Sequence, residues 1–158
     1  MFKNAVKYFE EMEVKQCLLE VIQSNTSAFQ LYKKQGFEIS REFECFNLDK
    51  TLFNYESTHE VLHIDITKEI DWIKLMSFWD FKPSWQNSID SIISVADTFI
   101  CSIVTINDVI VGYGIINKNS GDIPQIAVDK KYRGNGIGSS ILIDLLKSTK
   151  SSCITLLM

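Results

Sequence analysis

The sequence predicts an α+β fold, a mixed and mostly antiparallel sheet flanked by helices, and three observations carry that reading. Alternating apolar segments follow one another across short turns at Thr98–Ile106, Val109–Ile116 and Ile123–Val128. Apolar residues at helical spacing bracket them at Lys68–Ser77, Ser84–Val95 and Gly138–Ser148. A glycine-rich turn leads from the last of the three strands into the last of those helices. At 158 residues, with 46% hydrophobic and 11% aromatic side chains, the chain can close a core, which excludes a disordered or fibrous class.

In chain order, residues 2–13 place Ala5, Val6, Phe9 and Met12 at helical spacing, and Gln16–Ile22 reads as a buried strand. Ser24-Asn25-Thr26 offers caps for a second helix, with Ala28, Phe29, Leu31 and Tyr32 in its body and Gly36 placed to end it. Phe37–Leu48 reads as extended, either one long strand or a strand pair. Residues 49–58 lack a clear period and read as a linker between segments 1–48 and 59–158. Val61–Thr67 alternates as a strand; the two helices follow, the second with Pro83 just before its expected cap, Ser84. Asn107-Asp108 turns the first hairpin of the meander and Asn119-Ser120-Gly121 the next. Cys153–Met158 reads as a final buried strand.

Sixteen basic against twenty acidic residues give a net charge of −4, and basic residues never cluster beyond a pair, so nucleic acid is excluded as a partner. Cys17, Cys45, Cys101 and Cys153 are too far apart for a zinc or redox motif and read as small buried apolar residues in a reducing compartment. No apolar run approaches the ~18 residues of a membrane span, and the N-terminus is acidic and amphipathic, unlike a signal peptide. The expectation is a soluble, cytoplasmic protein without membrane contact.

The segment Pro124–Ser139 carries the chemistry. IAVDKKYRGNGIGSS, Ile126–Ser140, sets Arg133, Gly134, Gly136 and Gly138 between a strand and a helix. Successive amides in such a turn point inward with the helix dipole behind them, an arrangement suited to the diphosphate of a coenzyme-A-like cofactor. A Walker loop needs Gly-Lys-Ser/Thr, absent from this turn, and a dinucleotide fold needs an acidic residue ~20 positions beyond the glycines. A turn that merely joins strand to helix is the plain alternative; the spacing Arg-x-x-Gly-x-Gly after a hairpin strand favours the anion site. His59-Glu60-Val61-Leu62-His63 matches a zinc-protease string. That motif needs a helix, where the two imidazoles stand about 6 Å apart, against about 13 Å on the strand this segment predicts, so no metal site is assigned.

QIAVDKKYRGNGIG, Gln125–Gly138, resembles the acetyl-CoA signature of the GNAT superfamily of N-acyltransferases, in which a splayed fourth strand feeds such a loop into the third helix. The element order over Val61–Met158 is similar to that fold from its first strand to its fifth. LEVIQSNTSAFQLYKKQGFEISRE, Leu19–Glu42, resembles the family's fifth strand, fourth helix and sixth strand. Residues 3–22 and 139–158 share a faint apolar repeat, which under this resemblance is two copies of third helix and fifth strand. The resemblance thus implies a window of a tandem pair of domains. Residues 1–48 would be a C-terminal-type segment and 59–158 an N-terminal-type segment, the first supplying what the second lacks within one chain or by exchange in a homodimer.

The resemblance implies acetyl-CoA as cofactor and direct attack of a primary amine, on a small molecule or a peptide, on the thioester. Ile126, Ala127 and Val128 would pair with the pantetheine arm, and Arg133, Gly134, Asn135, Gly136, Ile137, Gly138 and Ser139 would hold the diphosphate. Asn25 matches a cofactor-binding asparagine, and Tyr32 matches the tyrosine that protonates the departing thiolate. The position where many relatives carry a basic carboxylate is Gln125, which cannot accept the proton; Asp122 and a water relay stay open. Trp79, Phe81 and Trp85 are candidate acceptor contacts, whereas Trp72 reads as core. The alternative reading is a non-catalytic acyl-CoA-binding or scaffold module with an incomplete active site.

Overall fold

The structure, a computed structural model, describes residues 2–52, 56–68 and 70–157. The chain divides into two compact units, Met1–Glu42 and Phe43–Met158.

The first unit holds helices α1 (Phe2–Glu11) and α2 (Thr26–Lys34). Asn25 caps α2, its side-chain oxygen accepting from the Ala28 N–H at 3.2 Å. Lys33 and Lys34 occupy the last turn, where cations suit the helix dipole. Beyond them Gly36 takes φ +91°, and the Phe37 N–H reaches back to Tyr32 O at 3.1 Å, closing the helix end. The expected strand Gln16–Ile22 does not form. A strand needs a neighbour for its backbone groups, and among the described residues this unit contains no strand to provide one.

In the second unit, β1 (Cys45–Asp49) is the part of the expected stretch Phe37–Leu48 that becomes a strand, since its neighbour is β7 (Cys153–Leu157), antiparallel with Cys45 opposite Leu157. Lys50 then reaches the C-terminal end of the last helix, Nζ donating to Thr149 O at 2.9 Å. Of the expected linker 49–58, residues 53–55 lie outside the described residues, as does Glu69 of the predicted helix Lys68–Ser77. Strand β2 (Leu62–Ile64) and helices α3 (Trp72–Met76) and α4 (Ile89–Ser94) are shorter than their apolar patterns. Asp71 caps α3. The cap of α4 is Ser88, whose Oγ accepts from the Ser91 N–H at 3.3 Å, and not Ser84. The chain after Pro83 first makes a turn, Asn87 N–H to Ser84 O at 3.1 Å, which leaves the Ser84 hydroxyl buried and unpartnered.

The meander is β3 (Phe99–Ile106), β4 (Val109–Asn117) and a strand that Pro124 breaks into β5 (Asp122–Ile123) and β6 (Gln125–Val128). One sheet has the order β2-β3-β4-β6, antiparallel throughout; the other has the order β1-β7-β5, with β5 parallel to β7. Helix α5 (Ile137–Ser148) covers one face of the four-stranded sheet through Ile137, Ile141 and Leu145, packed with Val104, Val111 and Ile116. Leu75, Phe78 and Ile92, from α3, α4 and the turn between them, pack with Ile103, Tyr113 and Ile115 in a second core.

Close approach of α5 depends on glycine. A Cβ at Gly114 would stand 2.7 Å from Ile141 Cγ2 and 2.8 Å from Leu145 Cδ1, and one at Gly112 would stand 2.8 Å from Ile137 Cγ2. Gly114→Ala is therefore expected to destabilise the protein by about 1–3 kcal/mol through overpacking, read as a lower midpoint in urea denaturation.

Candidate functional site

Pro124 opens the site. Ile123 still pairs with Leu156 of β7, whereas Gln125–Val128 pair with β4 and form the edge of their sheet. Proline offers no N–H to continue the first ladder, so the two strands part beyond it. Between them lies a cleft of about 670 Å³, lined by Ile126, Ala127 and Val128 on one side, Leu156 and Leu157 on the other, and Phe78, Trp79 and Phe81 at the wall. Among the described residues no strand pairs with the outer edge of β6, which faces this space with Val128 O already accepting from Arg133 Nε at 3.0 Å.

At the mouth of the cleft, the chain between β6 and α5 is shaped by its own bonds. The register of β3 on β4 slips after Val104, leaving Val111 as an extra residue on β4. Its carbonyl accepts the Asp129 N–H at 2.8 Å, which starts the loop. Asp129 Oδ1 accepts from Lys131 N at 3.0 Å over a short 3₁₀ turn, Lys130–Tyr132. Gly136, at φ +81°, precedes α5 with no side-chain cap, and the first helical bond is Ser140 N–H to Gly136 O. The amides of Ile137, Gly138 and Ser139 thus come before any intrahelical partner and present the helix's positive end. The buried Ser140 hydroxyl fixes this terminus, accepting from the Thr58 and His59 N–H groups at 3.1 and 3.2 Å and donating to Gly136 O. A Cβ on Gly136 would come within 2.7 Å of Thr58 Oγ1, so glycine is required there for space as well as for φ.

Beneath the wall runs a buried polar chain. The Trp79 indole N–H donates to the Tyr113 hydroxyl, which donates to Gln125 Oε1 at 2.8 Å, and Gln125 Nε2 donates to Asn87 O at 2.7 Å. Burial pushes the Tyr113 phenol far above its ordinary range. The Gln125 amide is thereby committed to the scaffold. Asp122 sits in its turn, accepting from Ser120 Oγ at 2.6 Å. His63 lies on β2 as the alternation predicts, with Nε2 2.7 Å from Asp144 Oδ2 on α5.

Ile126, Ala127, Val128, Arg133, Gly134, Gly136, Ile137, Gly138, Ser139, Trp79 and Phe81 are brought together around the one cleft. Asn135 stands apart from its lining and donates to Tyr132 O at 3.2 Å. Trp85 is 52% exposed and also outside it. Arg133 lines the cleft with its guanidinium bonded to Val128 O, Phe78 O and Asp80. Asn25 and Tyr32 belong to the first unit, where Asn25 caps α2 and the Tyr32 ring meets Phe37 edge-on at 5.8 Å. Sequence reasoning missed Asp80 and Tyr113. Asp80 lay unweighed between two aromatics already singled out, and Tyr113 was marked by its place between two glycines in an otherwise aliphatic strand.

A splayed pair of strands beside an uncapped helix N-terminus is an arrangement suited to a long ligand with an anionic group. The model of the Acetyltransferase (GNAT) family matches residues 64–157, more than half of the chain, and the chain belongs to that family. Acetyl-CoA is the family's cofactor. No curated protein sequence matches. Among solved structures, the chain is similar to a GCN5-related N-acetyltransferase from Sphaerobacter thermophilus, with 17% identity and a TM-score of 0.53 over 87% of this chain and 49% of that one. It is also similar to a functionally unknown conserved protein from Staphylococcus epidermidis, with 14% identity and a TM-score of 0.51 over 99% of this chain and 69% of that one. The chain therefore spans about half the length of the first of these, and the likeness to both is one of fold.

Tyr113→Phe removes the hydroxyl that joins Trp79 to Gln125 and leaves two buried polar groups unpaired. A loss of about 1–3 kcal/mol in chemical denaturation is expected, together with a shift in tryptophan emission.

Proposed function

We propose that this chain takes part in transfer of an acetyl group from acetyl-CoA to a primary amine. One observation carries the reading: the uncapped N-terminus of α5 opens onto an apolar slot with a free strand edge, which suits a ligand with a diphosphate at one end and an amide-bearing arm at the other. Acetyl-CoA supplies an activated thioester. The edge of Ile126–Val128 would hold its arm, and the amides of Ile137, Gly138 and Ser139 its diphosphate, with Gly134 and Gly136 admitting the approach. Trp79 and Phe81 would form the wall against the amine.

Resemblance assigns the cofactor contact of Asn25 and the protonation of the leaving thiolate by Tyr32. Residues 1–48 would complete the site within the chain or by segment exchange in a homodimer, which mass measurement in solution tells apart. Of the four cysteines expected to be buried, Cys101 is; Cys17, Cys45 and Cys153 are instead exposed free thiols, which suits a reducing, cytoplasmic setting. Gln125 cannot act as base, so Asp122 or a water relay would take the proton of the amine. That same glutamine is the observation favouring a non-catalytic acyl-CoA-binding module, and a turnover assay across an amine panel separates the two. Binding without release of free CoA from assembled protein would favour the module.

Calorimetric titration tests the cofactor. Arg133→Ala is expected to weaken acetyl-CoA binding about 10-fold, through loss of a cation and of the contacts that hold the loop; equal affinity in the two proteins would overturn the assignment. Tyr32→Phe is expected to leave the dissociation constant unchanged while slowing transfer about 10- to 100-fold, and an unchanged rate would remove Tyr32 from the chemistry.

A further inference from the structure

The turn between α3 and α4 is fastened to the loop before α5 by charge. Arg133 Nη1 pairs with Asp80 Oδ2 at 2.7 Å, and Lys130 Nζ pairs with the other oxygen of that carboxylate at 3.3 Å. Arg133 Nη2 also donates to Phe78 O at 2.8 Å, while its Nε donates to Val128 O at 3.0 Å. Both cations flanking the anion-binding turn thus converge on one carboxylate, carried by the residue between Trp79 and Phe81. The hydrogen bond from Arg133, with a smaller one from Lys130, holds Asp80 below the ordinary carboxylate range. All three side chains are well exposed, at 54% for Asp80, 40% for Arg133 and 62% for Lys130.

We infer that Asp80 is a latch: it holds the aromatic wall against the cofactor loop and competes with the cofactor's diphosphate for Arg133 and Lys130. The inference rests on the acetyl-CoA reading of the cleft. Exposed ion pairs contribute at most about 1 kcal/mol to folding, so stability is a poor reason for two cations to share one acid here. The geometry gives a better one. Arg133 has five N–H donors and spends three on Val128 O, Phe78 O and Asp80, which leaves two for a phosphate without release of the loop. Lys130 is held through a single longer ion pair and can turn to an incoming anion.

A diphosphate at the helix terminus sets like charge beside Asp80, at a cost in affinity. In return, any rearrangement of the loop is passed through Arg133 to Trp79 and Phe81. Asp80 is on this account a positioning residue, and its removal should tighten the cofactor while loosening the wall. A bridge that served folding alone would weaken both.

The test is calorimetric titration of wild type, Asp80→Asn, Asp80→Glu and Asp108→Asn with acetyl-CoA, Asp108 standing on the β3–β4 turn as a charge control. Asp80→Asn is expected to bind about 3- to 10-fold tighter at low salt, with the gain fading near 0.5 M salt as screening shortens. Asp80→Glu and Asp108→Asn should keep wild-type affinity. In a Trp72→Phe, Trp85→Phe background, acrylamide quenching of Trp79 should rise about twofold with Asp80→Asn, since an unlatched wall admits the quencher. Wild type that binds while Asp80→Asn binds no tighter, or a control that tightens equally, overturns the latch alone. If neither wild type nor Asp80→Asn binds acetyl-CoA, the cofactor reading falls and the competition falls with it.

Discussion

The architecture turns on one missing hydrogen-bond donor, that of Pro124. Up to Ile123 the strand runs parallel to β7, and from Gln125 it is committed to β4. Had the first ladder continued, neighbouring strands would lie about 4.8 Å apart and leave no space between β6 and β7. Because it stops, the two sheets share a strand at one end and separate at the other, and the cleft is the volume between them. The free edge of β6 follows from the same event, since a strand that leaves one neighbour keeps its backbone groups on that side.

On the proposed reading an open slot becomes a site for a charged ligand through the placement of α5, which sequence-distant features control jointly. Gly112 and Gly114 let the helix settle on β4, the bulge at Val111 turns a carbonyl out to take the Asp129 N–H, and Ser140 binds the helix terminus to residues 58 and 59. Each contact is modest. Together they put the uncapped end of α5 at the mouth of the cleft in an orientation no single contact would enforce.

The legible parts of the sequence were those whose determinants are local. The meander showed in its period-two alternation and in the turns at Asn107-Asp108 and Gly121, and the loop showed in glycines that its backbone requires at Gly134 and Gly136, both at positive φ. Strand Gln16–Ile22 and most of Phe37–Leu48 were misread because apolar spacing states only that a segment is able to pair, whereas pairing needs a neighbour; Cys45–Asp49 has one in β7. The cap of α4 moved from Ser84 to Ser88 for a related reason, since Pro83 initiates a turn before the helix and both serines satisfy the same local rule. At the site, glycines and aromatics were visible one by one, but the chain from Trp79 through Tyr113 to Gln125 joins a turn and two strands and has no signature in any one of them.

Charge in this protein has to act locally. With a net charge of −4 the molecule offers no long-range attraction to a polyphosphate, so on the proposed reading recognition would arise within the first few ångströms of the helix terminus. Apolar side chains line most of the cleft beside it, and a low-dielectric wall strengthens the field of the three free amides without any added cation. A carboxylate that partly neutralises Arg133 and Lys130 is then tolerable, because on this reading the amides and the helix dipole would share the attraction with them. On the proposed reading the cations have two tasks, joining the loop to the aromatic wall through Asp80 and turning their remaining donors to the phosphates. Arg133 accordingly spends three of its donors on Val128 O, Phe78 O and Asp80 to align the loop, and on the proposed reading the two that remain would meet the phosphate.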